Sequence, residues 1–391
     1  MMADSSLRDV VRDVQPVLLR HAATAEINRK MAPEVMAALV DTGLLRMWVP
    51  KGYGGTETEP NAALEVMEAL ARVDPATGWV VSNCVFISIL YQFLPAPVIE
   101  ELLGSPSSVT CGSFVPPGTA RAAENGYLVS GNWSFGSAAH YASSLAALTV
   151  LSDDQGPVLG EGGGPVTVLA FLDPKDVTLL DTTWNTLGLR ATGSVNFTAH
   201  DLQVPHDHTF LLGPWEPTEG PFSGPLYRIG LIIDAVRIAQ VAVGIAQGAV
   251  EEFVDLASAK TPAYTATLTA DRPTVQERVA RAQALIQAAR HTLRTTVAQA
   301  WDAVQVGPRV TGPTCVPMGL AASFALEASV QAVDLLYQSG GTNAFRDESP
   351  LQRRFRDLQT LRQNAIASWS RYESLGKLIL GRPSDWPFHN L

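Results

Sequence analysis

The chain changes its hydrophobic period twice, and no single motif constrains its fold as much. Up to about Leu103 apolar residues recur at helical spacing: Leu7, Val10, Val11 and Val14, then Val35, Leu39 and Val40 before a stop at Gly43. After the turn-rich break at 48–55, Leu64, Met67 and Ala71 resume the pattern, and Asp74-Pro75 opens another apolar helix. From Ser107 to Phe210 the spacing alternates in short runs such as 166–171 and 195–198, punctuated by Gly, Pro, Ser and Thr. Gly156 to Gly164 reads as a glycine-heavy hairpin tip. Such strands make a small barrel or sandwich. A Pro/Gly-rich linker from Leu211 through Trp215 to about Pro225 follows, and then the helical period returns in an alanine-rich background. Long helices over 229–260, 274–306, 318–339 and 351–381 make a four-helix bundle. The expected fold class is therefore α+β, with a helical domain at 1–105, a central β domain at 106–215 and a helical bundle at 216–391.

Composition narrows the function classes. A chain with 46% hydrophobic and 17% charged residues is well buried and globular. Its net charge of −10 argues against an electrostatic grip on nucleic acid. Cys84, Cys111 and Cys315 lie far apart without CxxC spacing, so neither a disulfide framework nor a zinc site is indicated. His206-Asp207-His208 lacks a third ligand of known spacing, and no metal is expected. Met1 to Arg12 carries alternating charges and no apolar signal core. The apolar run 79–94 is broken by Ser82, Asn83, Ser88 and Gln92 and is read as too short to span a membrane. A reduced, soluble, cytoplasmic protein is the expectation, without a nucleic-acid or membrane partner.

One stretch concentrates binding chemistry: Leu128-Val129-Ser130-Gly131-Asn132-Trp133-Ser134-Phe135-Gly136-Ser137. Gly131-Asn132 reads as a tight turn, which puts Trp133 and Phe135 on the same face of a second strand. Two aromatic walls with Ser134 and Ser137 beside them suit a planar ligand with polar edges. An ordinary hairpin packing two aromatics into a core is the competing reading.

Several motifs, in order, resemble the acyl-CoA dehydrogenase superfamily: Trp48-Val49-Pro50 with Tyr53-Gly54-Gly55, Asp74-Pro75 through Gly78-Trp79, Ser130 to Phe135, and Leu187-Gly188-Leu189-Arg190-Ala191-Thr192-Gly193-Ser194. The resemblance runs from about Val10 to Gly381. It leans to the branch of two-component flavin monooxygenases, on Ser130-Gly131-x-Trp133-Ser134-Phe135 with Ser137, and on Pro350-Leu351-Gln352-Arg353-x-x-Arg356-Asp357 in the last helix. The dehydrogenases' Tyr-Glu-Gly-Thr segment, which in many members carries the catalytic glutamate, is absent. The resemblance implies reduced flavin (FMN or FAD), O2, a C4a-hydroperoxyflavin and hydroxylation of a small cyclic, aromatic or natural-product-like molecule. It also implies a homo-oligomer, expected as a tetramer. The weakly charged helices, above all around Val236 to Val250, are read as a covered subunit interface. No GxGxxG follows a strand, so the reductant comes from a separate flavin reductase.

On this reading Trp133 and Phe135 wall the flavin, while Ser134, Ser137, Thr192 and Ser194 donate to its edges. Gln338-Ser339-Gly340-Gly341 resembles the turn that touches the cofactor's far end from a neighbouring subunit, and Arg272 before Pro273 could bind a phosphate. Thr192 and Ser194 in a turn, Gly340-Gly341 as a plain helix cap and Arg272 as an exposed arginine are the bland alternatives. Related hydroxylases commonly place a histidine seven residues after the Arg-Asp pair; here that position is Asn364, a donor and anchor but not a base. Ser137 and Asn364 are the catalytic candidates. The rival enzyme reading is an acyl-CoA dehydrogenase with a glutamate base, drawn from Glu251, Glu252, Glu348 and Glu373. A non-catalytic oligomeric scaffold is the third.

Overall fold

A computed structural model describes residues 7–160, 163–213 and 220–389. Residues 1–6, the Glu161-Gly162 part of the glycine-rich tip and the 214–219 part of the linker, Trp215 included, lie outside them. The first helical layer is α1 (Leu7–Asn28), α2 (Pro33–Asp41), α3 (Pro60–Val73), α4 (Pro75–Ser88) and α5 (Ala96–Leu103). Proline in the first turn starts α2, α3 and α4, where its missing N–H removes no helical bond. Asp74 caps α4 as its sequence context implies, accepting from Thr77 N at 2.9 Å and Thr77 Oγ1 at 2.7 Å. A Cβ on Gly78 would lie 2.6 Å from Ala71, so glycine is what lets α4 lean on α3.

One mixed sheet follows: β1 (Thr110–Ala123), β2 (Gly126–Gly136), β3 (Ser144–Asp153), β4 (Gly156–Pro157), β5 (Thr167–Leu172), β6 (Thr178–Leu180), β7 (Val195–Pro205) and β8 (Thr209–Leu212). The order is β6-β7-β2-β1-β3-β5-β8, with β4 on β3 and a parallel pair at β1–β3. The expected turn at Gly131-Asn132 is corrected: both residues lie inside β2, and the chain reverses at Glu124-Asn125, between Ala123 and its partner Gly126. The glycine marks a bulge, where pairing with β7 slips between Val129 and Gly131. A second slip, between Trp133 and Gly136, surrounds Phe135 in a left-handed backbone at φ 68°. That twist separates Trp133 from Phe135. Trp133 is fully enclosed, stacked on Phe197 at 5.2 Å with its Nε1 donating to Leu148 O, whereas Phe135 is 57% exposed.

The second helical layer is α6 (Ile233–Ala259), α7 (Pro273–Val306), α8 (Val316–Gly340), α9 (Pro350–Leu361) and α10 (Arg371–Ile379). The single helix expected over 351–381 is corrected to two, α9 and α10, with Asn364 in the connection between them. The reading of α6 as a subunit interface is also corrected. Its small-residue face packs inside the chain: a Cβ on Gly244 would meet the Glu68 backbone at 2.4 Å, and one on Gly248 the Arg354 side chain. Three helical segments, Pro75–Phe93, Ile233–Ala259 and Gly312–Asn343, are long and apolar enough to cross a membrane, and most of each is buried in the molecule. The run opened by α4 is thus longer than its interruptions imply, and core packing accounts for its apolarity.

Candidate active site

A cavity of about 1220 Å³ opens where the sheet meets both helical layers. That exceeds the roughly 300–1,000 Å³ of a single small-molecule site. Trp79, Asn83 and Ile87, one turn apart on α4, form part of its wall. Behind them runs a chain of hydroxyls. Trp79 Nε1 donates to Ser137 Oγ at 3.0 Å, Ser137 Oγ pairs with Ser194 Oγ at 2.7 Å, and Ser194 Oγ with Thr192 Oγ1 at 2.7 Å. Thr192 Oγ1 donates to Leu189 O at 2.8 Å. An indole N–H only donates and a carbonyl only accepts, so the two ends impose one sense: Ser137 donates to Ser194, and Ser194 to Thr192. The hydroxyls expected as donors to a ligand therefore face it with lone pairs. Phe135, Ala138 and Leu189, all non-glycine residues with φ between 51° and 68°, cluster around this chain, and such strain concentrates at functional sites.

The motif in α9 explains how the loop is held. Asp357 accepts from Leu189 N at 2.6 Å, and Arg356 Nη1 donates to Leu187 O at 2.6 Å while pairing with Glu26 at 2.9 Å. Arg353 reaches Asp74 at 2.7 Å and Asp357 at 3.6 Å. Together the motif staples loop 187–194, α1 and the α4 cap to one helix. A Cβ on Gly188 would lie 2.3 Å from the Arg356 backbone, so this loop rests directly on α9. Burial pushes the Asp357 carboxyl up to about 6, and Arg353 pulls against that shift.

Opposite, the connection after α9 brings Asn364 to the cavity. Its Oδ1 accepts from Ile366 N at 2.9 Å, which leaves its amide N–H groups as what it offers a ligand. Asp234 and Arg237 enter from the first turns of α6, paired at 2.5 Å. Sequence reasoning missed both, together with Trp79, Asn83 and Gln359. An acid and a base at i, i+3 in an otherwise nearly uncharged stretch was the signal available.

Of the residues singled out from sequence, Phe135, Ser137, Ser194, Gln338 and Asn364 line the cavity, and Thr192 stands one hydrogen bond behind. Trp133 lies inside the sheet, and Ser134 O accepts from Ser113 Oγ. Arg272 is exposed at the start of α7. Gly340 O accepts from Lys260 Nζ at 2.7 Å, and Gly341 (φ 60°) ends α8. Among the described residues no glutamate lines the cavity, and no cluster of His, Cys, Asp or Glu could hold a metal. Glu251 pairs with Arg72, Glu252 with Arg354 and Glu348 with Arg346. Glu373 sits in the first turn of α10.

Helices, a mixed sheet and helices again around one cavity are the architecture of the acyl-CoA dehydrogenases. Residues 3–96 match the acyl-CoA dehydrogenase N-terminal domain and residues 236–369 the acyl-CoA dehydrogenase C-terminal domain, together more than half of the chain. The chain belongs to the acyl-CoA dehydrogenase superfamily, and the relatives it resembles over most of its length are flavin-dependent monooxygenases. It is 28% identical to indole-3-acetate monooxygenase of Pseudomonas putida, over 97% of this chain and 94% of that protein. It is 27% identical to the flavin-dependent monooxygenase oxygenase subunit HsaA of Rhodococcus jostii, over 90% and 91%. XiaF from a Streptomyces species, solved with FADH2 and glycerol, superposes with a TM-score of 0.89 at 26% identity, covering 98% of this chain and 96% of that one.

Proposed function

We propose that this chain is the oxygenase component of a two-component system: it receives reduced flavin (FMN or FAD) from a separate reductase and hydroxylates a small aromatic or other cyclic, electron-rich substrate. The observation that carries this reading is the chemistry of the cavity: largely apolar walls with hydroxyl and amide groups, no glutamate among the described residues, and two carboxylates that are already engaged, Asp234 with Arg237 and Asp334 with Gln359, so none is placed free to take a proton alpha to a thioester. Its volume has room for a planar cofactor and a substrate together. Reduced flavin and O2 supply the electrons and the oxygen atom.

The chain's own residues do the rest. Lone pairs on Ser137 and Ser194 would accept from N–H groups of a bound ring, of which reduced flavin carries more than oxidised flavin, so this wall would favour the reduced form. Phe135 and Trp184, edge to face at 6.3 Å, shield the mouth. Trp133 and Ser134 back the wall from inside the sheet. Asn364 holds substrate or a developing oxygen charge through its amide N–H groups and moves no proton. Gln338 lines this chain's own cavity, and Gly340, Gly341 and Arg272 would reach the far end of a cofactor across a subunit boundary. That boundary is formed by the apolar surface left on α8, α10 and the connection before it, where Phe324, Trp369, Ile379 and Leu380 are exposed. A homotetramer in the cytoplasm, with Cys84, Cys111 and Cys315 as buried thiols, completes the reading.

Mixing the protein with chemically reduced flavin, O2 and a panel of phenols and heteroaromatics tests it. Oxygen uptake with a hydroxylated product is expected. Bleaching of bound oxidised flavin by an acyl-CoA would instead establish the dehydrogenase. Sedimentation at micromolar concentration checks the assembly, and a lone 41.8 kDa species would refute it.

A further inference from the structure

We propose that Asp234 is the hydrogen-bond acceptor by which the cavity selects its substrate, taking neutral aromatic molecules that present a ring N–H or O–H. The idea rests on the oxygenase reading for the reaction, but its test does not. Asp234 and Arg237 are 0% and 3% exposed, and both line the cavity. A buried ion pair is commonly no more stable than apolar residues of the same volume, so folding alone does not account for this one.

The two partners are unequally satisfied. Arg237 places Nη2 on Asp234 Oδ1 and donates through Nη1 to Ser82 Oγ at 3.1 Å. Its guanidinium lies 5.5 Å from the Trp79 ring centroid and 5.0 Å from that of Phe86. Both carboxylate oxygens of Asp234 are buried; Oδ1 has only the ion-pair contact to Arg237, and Oδ2 has no hydrogen-bond partner among the described residues. An orphaned carboxylate oxygen is costly, and a donor arriving in the cavity relieves it.

The same geometry disfavours an anionic ligand. Each terminal nitrogen of Arg237 already spends one N–H, Nη2 on Asp234 and Nη1 on Ser82, so a two-pronged grip on a carboxylate would have to form beside those partners. Arg237 Nε is unpaired, but a carboxylate brought to it would meet the charge of Asp234. The pair is neutral as a unit and reads a donor, not a charge. Trp79 joins it to the hydroxyl chain, because the ring that covers Arg237 also donates to Ser137. Substrate anchor and cofactor wall thus share a residue.

Indole and benzofuran, nearly the same shape but differing in the ring N–H, are the probes. Equilibrium binding to the flavin-free wild-type protein should favour indole by about tenfold, the size of a hydrogen bond to a charged acceptor. Indole-3-acetate should bind no tighter than indole. The Asp234→Leu/Arg237→Met double variant, which leaves no buried charge unpaired, should bind indole and benzofuran equally. Equal binding of the two by the wild type, which needs no variant, would overturn the proposal. So would a preference that survives in the double variant, or tighter binding of indole-3-acetate that depends on Arg237. A protein that discriminates the probes yet consumes no oxygen with reduced flavin would refute the oxygenase reading alone.

Discussion

Along the sheet side of the cavity, from Ser137, which accepts from Trp79 of α4, through Ser194 and Thr192 to Leu189, every hydroxyl proton is committed to its neighbour, and the α9 motif fixes the loop behind them. Along the helix side Asp234 Oδ2 is open and Asn364 sits on a connection between helices. A satisfied, stapled wall can present a planar group in one pose. A wall with polar groups in reserve can respond to what is placed beside it. On the proposed reading, the contrast assigns holding the cofactor to the satisfied wall and recognising the substrate to the open one, with Trp79 joining the two.

The comparison is broken most forcefully within β2. Trp133→Ala should lower the unfolding free energy by about 3–5 kcal/mol, the cost of emptying a packed aromatic site, while Phe135→Ala should stay within about 0.5 kcal/mol. Denaturant titration of the two variants checks this, and equal effects would mean the two rings share one environment.

The staple predicts a pH dependence. Burial raises the Asp357 carboxyl from its ordinary 3.8 to about 6, so the folded chain holds this proton more tightly than the unfolded chain. Stability from this group is full below its unfolded value and is lost as pH rises through about 6. Asp357→Asn keeps an oxygen for the Leu189 N–H and removes the titration. Its stability relative to wild type should therefore climb between pH 4 and 7, as thermal melts across that range would show.

Ser137→Ala interrupts the hydroxyl chain and should weaken reduced-flavin binding by about 1 kcal/mol, one net hydrogen bond. Titration that gives wild-type affinity would leave the chain a purely structural role. On the open wall the effect falls on coupling more than on affinity. Asn364→Ala should divert oxygen to hydrogen peroxide at the expense of product. Wild-type coupling in that variant would make Asn364 a bystander. Asparagine does not titrate, so the oxygenation step should show no ionisation from this position between pH 6 and 8.

Much of the scaffold was legible along the chain because it is local. The switch from helical to alternating period, proline at helix starts and the Asp74 cap are each decided within a few residues of sequence. The order of motifs carried the superfamily for the same reason. Ser137, Ser194 and Thr192 were legible by position, but not the sense of their hydrogen bonds, which depends on Trp79 from another layer.

Other features were decided only in three dimensions. Gly131-Asn132 has the composition of a turn, yet the ring of Trp133 and pairing with β7 hold it inside a strand as a bulge. Asn364, seven residues after Asp357, falls within the helix expected over 351–381, but α9 ends at Leu361 and the Asn364 side chain accepts from Ile366 N in the connection that follows. The apolar face of α6 could equally have covered a partner subunit. Periodicity states that a face must be buried, and only the positions of α3, α8 and α9 settle what buries it. Asp234 marks the same limit from the polar side: an acid and a base three residues apart in an apolar helix are visible in sequence, but an unpaired carboxylate oxygen inside a cavity exists only once three layers close around it.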